Sequence, residues 1–319
     1  MRVVILVACF WLVTSPLYAK IVFSSNRDDA RYEIFTMDTN GGAPIQITNN
    51  RHDSFSPTWS PDGRQIAFNR DSHIYVIDAG GENLRQLTRH RHNEQDLHPD
   101  WSPDGKLIAF DRFTGNAPDR HANIYTVDPV TRVVRRVTDF DFNAQLPKWS
   151  PDGQWILFEG NGDLHAIRPD GSDKRRIGSQ HHLGEPKWLG GWSPEGKRIV
   201  YLQWGKDGER DRIVVATLDM DLLNVLTEEE VPVPAMLAIN SVSFGADGRS
   251  ILFVGSNNGR ASSFRVRLDT HELIQLTDVP FSDYSLQEWG RRLSVSLKQQ
   301  MLPRIWGRIK ARAVQGRPK

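Results

Sequence analysis

Short apolar runs, cut by turn-forming residues, recur along most of the chain. Ile66-Ala67-Phe68, Ile108-Ala109-Phe110, Ile156-Leu157-Phe158, Ile199-Val200-Tyr201 and Ile251-Leu252-Phe253 form one series. A second run follows: Ile74-Tyr75-Val76-Ile77-Asp78, Ile124-Tyr125-Thr126-Val127-Asp128, Ile213 to Asp219, and Phe264 to Asp269. A third closes several units: Gln86-Leu87-Thr88, Arg136-Val137-Thr138 and Gln275-Leu276-Thr277. Runs of β-branched and aromatic residues bounded by Gly, Pro, Asn and Asp read as strands. No helical period persists beyond two turns between residues 20 and 288, so the chain reads as all-β.

Each unit is headed by the same five residues. Trp59-Ser60-Pro61-Asp62-Gly63 recurs as Trp101-Ser102-Pro103-Asp104-Gly105, as Trp149-Ser150-Pro151-Asp152-Gly153 and as Trp192-Ser193-Pro194-Glu195-Gly196. Phe244-Gly245-Ala246-Asp247-Gly248 is a decayed fifth copy, and Trp289-Gly290 reads as a truncated sixth. The spacings of 42, 48, 43, 52 and 45 residues suit a four-stranded propeller blade. Ser-Pro-Asp-Gly suits a type I turn, in which Pro presets φ and Gly accepts the positive φ that follows. The motif is therefore a hairpin, and the Trp before it is read as an apolar wedge between blades. On that count five of the ten Trp residues are core.

The first unit lacks its turn. Lys20-Ile21-Val22-Phe23 matches the strand after the motif, whereas Trp289-Gly290 and Leu293-Ser294-Val295 start a unit that does not finish. A ring solves both problems, because an N-terminal strand that completes the last blade removes two open edges. Strands at Ile34, Ile74, Ile124, Leu164, Ile213 and Phe264 give six blades. The expected fold is a six-bladed β-propeller of four-stranded antiparallel blades, closed by the N-terminal strand, over residues 20–295.

Pro57 to Phe68 and Pro99 to Phe110 resemble the Pro-x-Trp-Ser-Pro-Asp-Gly-x-x-Ile-Ala-Phe repeat of the TolB-like β-propeller family, a WD-repeat-like type. Ser25-Asn26-Arg27 and Asp38 through Gly42 fit its inter-strand loops. The resemblance covers roughly residues 20–295 and the propeller part only. An isolated propeller is therefore expected, without the α/β domain that precedes the TolB propeller. The Gly-x-Ser-x-Gly elbow of propeller-bearing peptidases is missing.

Charge divides the chain. Everything after Glu288 carries nine Lys or Arg and no Asp or Glu, which with Arg2 leaves −9 on residues 20–288. An acidic body argues against nucleic acid, whose phosphates demand clustered cations. Residues 1–19 read as a signal peptide: Arg2, an apolar run from Val3 to Val13, Pro16, then Ala19 at the cleavage position. That predicts a periplasmic or secreted protein. Cys9 is the only cysteine, so the mature chain holds no disulfide or thiol nucleophile. Residues 296–319 form a basic tail. A short amphipathic helix from Pro303 would put Leu302, Ile305, Trp306 and Ile309 on one face, suited to peripheral membrane contact or an acidic partner; the other reading folds the tail back on the acidic propeller or leaves it disordered.

Candidate chemistry gathers in loops. His52, then His90, His92, Glu94, Asp96 and His98, then His181, His182 and Glu185 precede successive motifs. Imidazole and carboxylate converging at a ring's mouth suit a transition metal, and the similar-looking oligogalacturonate lyases use one. His52, His98 and His182 are the candidate ligands, without the tight spacing of a His-Glu-x-x-His helix. Asp28-Asp29 and Asp207-Gly208-Glu209-Arg210-Asp211 are acidic loops that lack the full ligand series of a calcium site. No catalytic triad and no phosphate-cradling loop can be assembled, and no cofactor is expected. Two function classes follow. The first is a monomeric binding module of the cell envelope whose loops hold a protein, peptide or glycan. The second is a metal-dependent enzyme, a polysaccharide lyase or hydrolase, with a His-rich mouth.

Overall fold

The computed structural model describes residues 20–27, 31–116, 119–177, 187–205, 210–234, 238–257, 260–277 and 283–290. Residues 1–19, Asp28-Asp29, His181, His182, Glu185, Asp207 to Glu209 and the tail lie outside them. The described residues form strands and turns with no helix.

Six four-stranded antiparallel sheets follow one another as blades. Blade 1 joins Asp283–Trp289 to Lys20–Ser25, Glu33–Asp38 and Ile45–Gln46. Blade 2 holds Ser54–Trp59, Gln65–Arg70, His73–Asp78 and Arg85–Gln86; blade 3 holds Gln95–Trp101, Ile108–Thr114, His121–Val127 and Val134–Arg136. Blade 4 holds Ala144–Trp149, Ile156–Gly160, Asp163–Ile167 and Arg175–Ile177. Blade 5 holds Lys187–Trp192, Arg198–Gln203, Arg212–Asp219 and Asn224–Val231; blade 6 holds Ala238–Phe244, Ser250–Asn257, Arg260–Arg267 and Leu273–Gln275. The expected closure is present: Lys20–Ser25 is the second strand of a blade whose innermost strand comes from the other end of the propeller.

The motif turn is built as its residues dictate. Gly63 donates its N–H to Ser60 O at 2.9 Å, and Gly105, Gly153 and Gly196 repeat the bond. These glycines have φ between 70° and 75°, a region that disfavours any residue with a Cβ. The buried Ser60 hydroxyl donates to Asp62 Oδ1 at 2.7 Å and accepts from Gln65 N at 2.9 Å. Ser102 with Asp104, and Ser150 with Asp152, do the same. Threonine makes a second repeated latch: the hydroxyls of Thr48, Thr88, Thr138 and Thr277 accept from the N–H of Ile34, Ile74, Ile124 and Ser263.

Tryptophans pack between neighbouring blades at four interfaces. Trp101 packs with Ala67, Ile74 and Val76 of blade 2 and with Ile108 and Phe110 of its own blade. Trp59, Trp149, Trp192 and Phe244 fill the equivalent places. Blade 1 departs. Ile21, the counterpart of Ile66, pairs with Glu288, whereas Ile66 pairs with Trp59. Glu288 therefore holds the wedge position and Trp289 is displaced by one, so four tryptophans, not five, serve as wedges. The Trp289 ring lies over the Pro61–Gly63 turn instead, and its Nε1–H donates to Pro61 O at 3.2 Å.

Candidate functional site

The six innermost strands surround a central channel at the end where the motif turns lie. Two rings of six residues each make its wall. Three residues before each wedge stand Ser285, Ser56, His98, Leu146, Leu189 and Ser241. One residue before it stand Gln287, Thr58, Asp100, Lys148, Gly191 and Ser243.

A bulge in every innermost strand shapes the first ring. In blade 2 the pair Ser56-Pro57 opposes Phe68 alone, and in blade 3 His98-Pro99 opposes Phe110. Two residues facing one is a β-bulge, which bends the strand and re-aims a side chain. The motif's proline falls where the ladder bond is already lost, so its missing N–H costs nothing there. Ser56, His98, Leu146 and Ser285 have φ between 48° and 56°, an uncommon region for residues other than glycine.

His98 is the histidine of that ring, which otherwise carries hydroxyl and apolar groups. Its Nδ1 lies 2.9 Å from Oδ1 of Asp111, a carboxylate with 0% side-chain exposure. Among the described residues the Asp111 Oδ2 has no hydrogen-bond partner. Trp188 meets the imidazole edge-to-face, with centroids 5.6 Å apart, and lies against Trp204. A His held at Nδ1 by a buried carboxylate has its ring orientation fixed. In the second ring Gln287 Oε1 accepts from Trp59 N at 2.7 Å, and Asp100 Oδ2 accepts from Trp149 N at 2.8 Å. These two side chains latch blade 1 to blade 2 and blade 3 to blade 4. Lys148 Nζ stands 3.8 Å from Asp100. Thr58 Oγ1, Ser241 Oγ and Ser243 Oγ are buried in the wall without a partner among the described residues.

The candidate metal ligands are placed apart in their bonding. His52 Nδ1 pairs with Asp71 at 2.9 Å on the loop end, His98 pairs with Asp111, and His182 lies outside the described residues. Among the described residues no group of three or more His, Cys, Asp or Glu side chains converges to hold a metal ion. His90, His92 and Glu94 line a different cleft, with His73 and Arg120; His73 and His90 stack there at 4.1 Å.

Sequence reasoning missed Asp111, Trp188 and Lys148. A signal for the first ring was present: His98, Ser56 and Leu146 share one offset from the wedge and each precedes a proline.

Behind the innermost strands, an aromatic pair repeats between the second and third strands of a blade. Phe68 stacks with Tyr75, Phe110 with Tyr125, and Phe158 with His165. Arg70 and Arg112 lie over the first two pairs. His165 takes a tyrosine's place in blade 4. Burial, then the nearby Lys174 ammonium, hold its pKa below the ordinary 6.5.

Six closed blades around a lined channel define a β-propeller. The TolB beta propeller domain model matches residues 18–282, and the chain belongs to that family. It is 30% identical over 218 residues to the uncharacterized protein Atu1656 of Agrobacterium fabrum, covering 54% of this chain and 71% of that one. It is 30% identical over 139 residues to the Tol-Pal system protein TolB of Nitratidesulfovibrio vulgaris, covering 43% of this chain and 29% of that protein. The crystal structure of TolB from Acinetobacter baumannii superposes with a TM-score of 0.68 at 20% identity, over 85% of this chain and 66% of that one. The chain thus spans less than a third of the first TolB and about two thirds of the second.

Proposed function

We propose that this propeller is a non-catalytic binding scaffold of the periplasm, and that its channel receives an extended peptide segment of an envelope protein. The carrying observation is the wall itself. Ser56, His98, Lys148, Trp188 and Gln287 line the open channel with hydroxyl, imidazole, ammonium, indole and amide groups. An extended peptide has unpaired N–H and C=O groups along its length and suits such a wall. His98 leaves Nε2 for a ligand because Nδ1 is bonded to Asp111. Trp188 adds an aromatic face beside it. Membership of the TolB propeller family and the signal-like residues 1–19 support the placement in the envelope.

A photo-reactive phenylalanine analogue at Ser56 tests the reading in living cells. The expected result is a light-dependent adduct with an envelope protein that disappears in a His98→Ala, Trp188→Ala background. Adducts that are absent, or indifferent to both substitutions, would refute it.

A further inference from the structure

In five blades the outermost strand is two or three residues long: Ile45–Gln46, Arg85–Gln86, Val134–Arg136, Arg175–Ile177 and Leu273–Gln275. Blade 5 breaks the pattern. Its outermost strand, Asn224–Val231, runs eight residues and, among the described residues, pairs with Arg212–Asp219 on one side only. An open edge of that length presents alternate N–H and C=O groups as a template for another strand. Short strands blunt the same hazard in the other blades.

The edge has its own chemistry. Glu228 and Glu230 pair with Ala216 and Val214, whose side chains belong to the core shared with blade 4. Glu229 pairs with Val215, which belongs to the core shared with blade 6. Three consecutive carboxylates therefore give negative charge to both sides of the edge. Tyr201 Oη donates to Glu228 at 2.7 Å, and Arg210 pairs with Glu230. Leu222 and Leu226 are 62% and 61% exposed along the same strand and its turn.

We propose that this edge docks the chain's own basic C-terminal segment, within residues 296–319, which adds to blade 5 as a fifth strand. Charge complementarity selects the occupant, since the residues after Glu288 carry nine cations and no acid. At a period of two, Arg308, Lys310 and Arg312 share one side of an extended segment, and Ile309 and Ala311 the other. Cations opposite Glu228 and Glu230 are favourable cross-strand pairs. A second copy of the same edge would instead set carboxylates against carboxylates. Reach is sufficient: the 18 residues from Arg291 to Arg308 extend to about 60 Å, more than the roughly 50 Å diameter of a domain this size.

Hydrogen exchange on the full chain tests the proposal. In low salt, alternate amides of Asn224–Val231 should be protected. They should exchange at least tenfold faster in the Arg308→Gln, Lys310→Gln, Arg312→Gln variant, which leaves the propeller untouched. The same loss is expected for Glu228→Gln, Glu229→Gln, Glu230→Gln and for the wild type in 1 M salt. Amides of Ile199 to Leu202 should not change in any of them, which shows that the ring stays folded. Equal edge exchange in the wild type and the tail variant would overturn the proposal. Protection that grows with protein concentration would overturn it in favour of a second copy.

Discussion

Arg265 and Glu288 face each other across the seam of the ring, with Nη2 2.8 Å from Oε1 and the carboxylate 4% exposed. Glu288 also accepts from Ala246 N at 2.8 Å, and Arg265 donates to Thr39 O at 3.0 Å. An ion pair thus replaces the tryptophan wedge where blade 6 meets blade 1. Glu288→Ala leaves Arg265 buried without its partner. The expected loss is about 3–5 kcal/mol, read by urea melts. Arg265→Leu combined with Glu288→Trp should recover much of it, because an apolar pair suits this interface. The double variant should be clearly more stable than the sum of its single changes predicts.

The wedge tryptophans contribute area rather than hydrogen bonds. Nε1 of Trp59, Trp101, Trp149 and Trp192 is buried with no partner among the described residues, and blade 6 uses Phe244 in the same place. Trp101→Phe should therefore cost no more than ~1.5 kcal/mol. Trp101→Ala should cost ~3–5 kcal/mol. Equal losses in thermal melts would mean that the indole N–H matters after all.

Gly63 and Gly105 occupy equivalent turns with φ of 70° and 73°, yet their surroundings differ. A Cβ on Gly63 would lie 2.4 Å from Trp289 Cε2, whereas on Gly105 the nearest atom, of Pro61, is 3.9 Å away. Alanine at either site meets the same backbone penalty of ~1–2 kcal/mol. Gly63→Ala should lose a further ~1–3 kcal/mol through overpacking. The difference between the two melts measures how firmly Trp289 is seated.

His165 makes blade 4 sensitive to acid. Its folded-state pKa lies below 6.5, so the folded protein disfavours the proton that the unfolded chain accepts. The stabilisation is present above about pH 6.5 and is lost as the pH falls through and below that value. His165→Tyr restores the Phe–Tyr pair of blades 2 and 3 and should flatten this dependence. Melting temperatures at pH 7.5 and pH 5.0 check it: the wild type should fall further than the variant.

The fold was legible because its turns are chemically explicit. Pro61, Asp62 and Gly63 each have one conformational job, and the chain repeats them at blade spacing. The seam was not legible in the same way. Trp289 carries the aromatic letter of the motif but no Ser-Pro-Asp-Gly after it, so letter matching sets the register one residue late. Backbone pairing alone assigns the place to Glu288, and nothing near Arg265 in the sequence announces a partner 23 residues on. The channel was half legible. His98 attracts notice as a histidine before a motif, yet its bulge depends on the two-to-one pairing opposite Phe110. Asp111 reads as an ordinary strand residue, and Trp188 comes from two blades further round.

The seam also sets the order of assembly. Lys20 pairs with Trp289, 269 residues away, and joining such distant points costs roughly 5 kcal/mol of chain entropy. A growing chain holds Lys20–Ser25 long before it holds Asp283–Trp289. Until the last strand arrives, the first blade lacks its inner edge and the ring has two sticky ends. Closure is one late event that converts an open arc into a locked circle. The reverse event, parting of that single joint, is then the gateway through which a protease or a denaturant would enter.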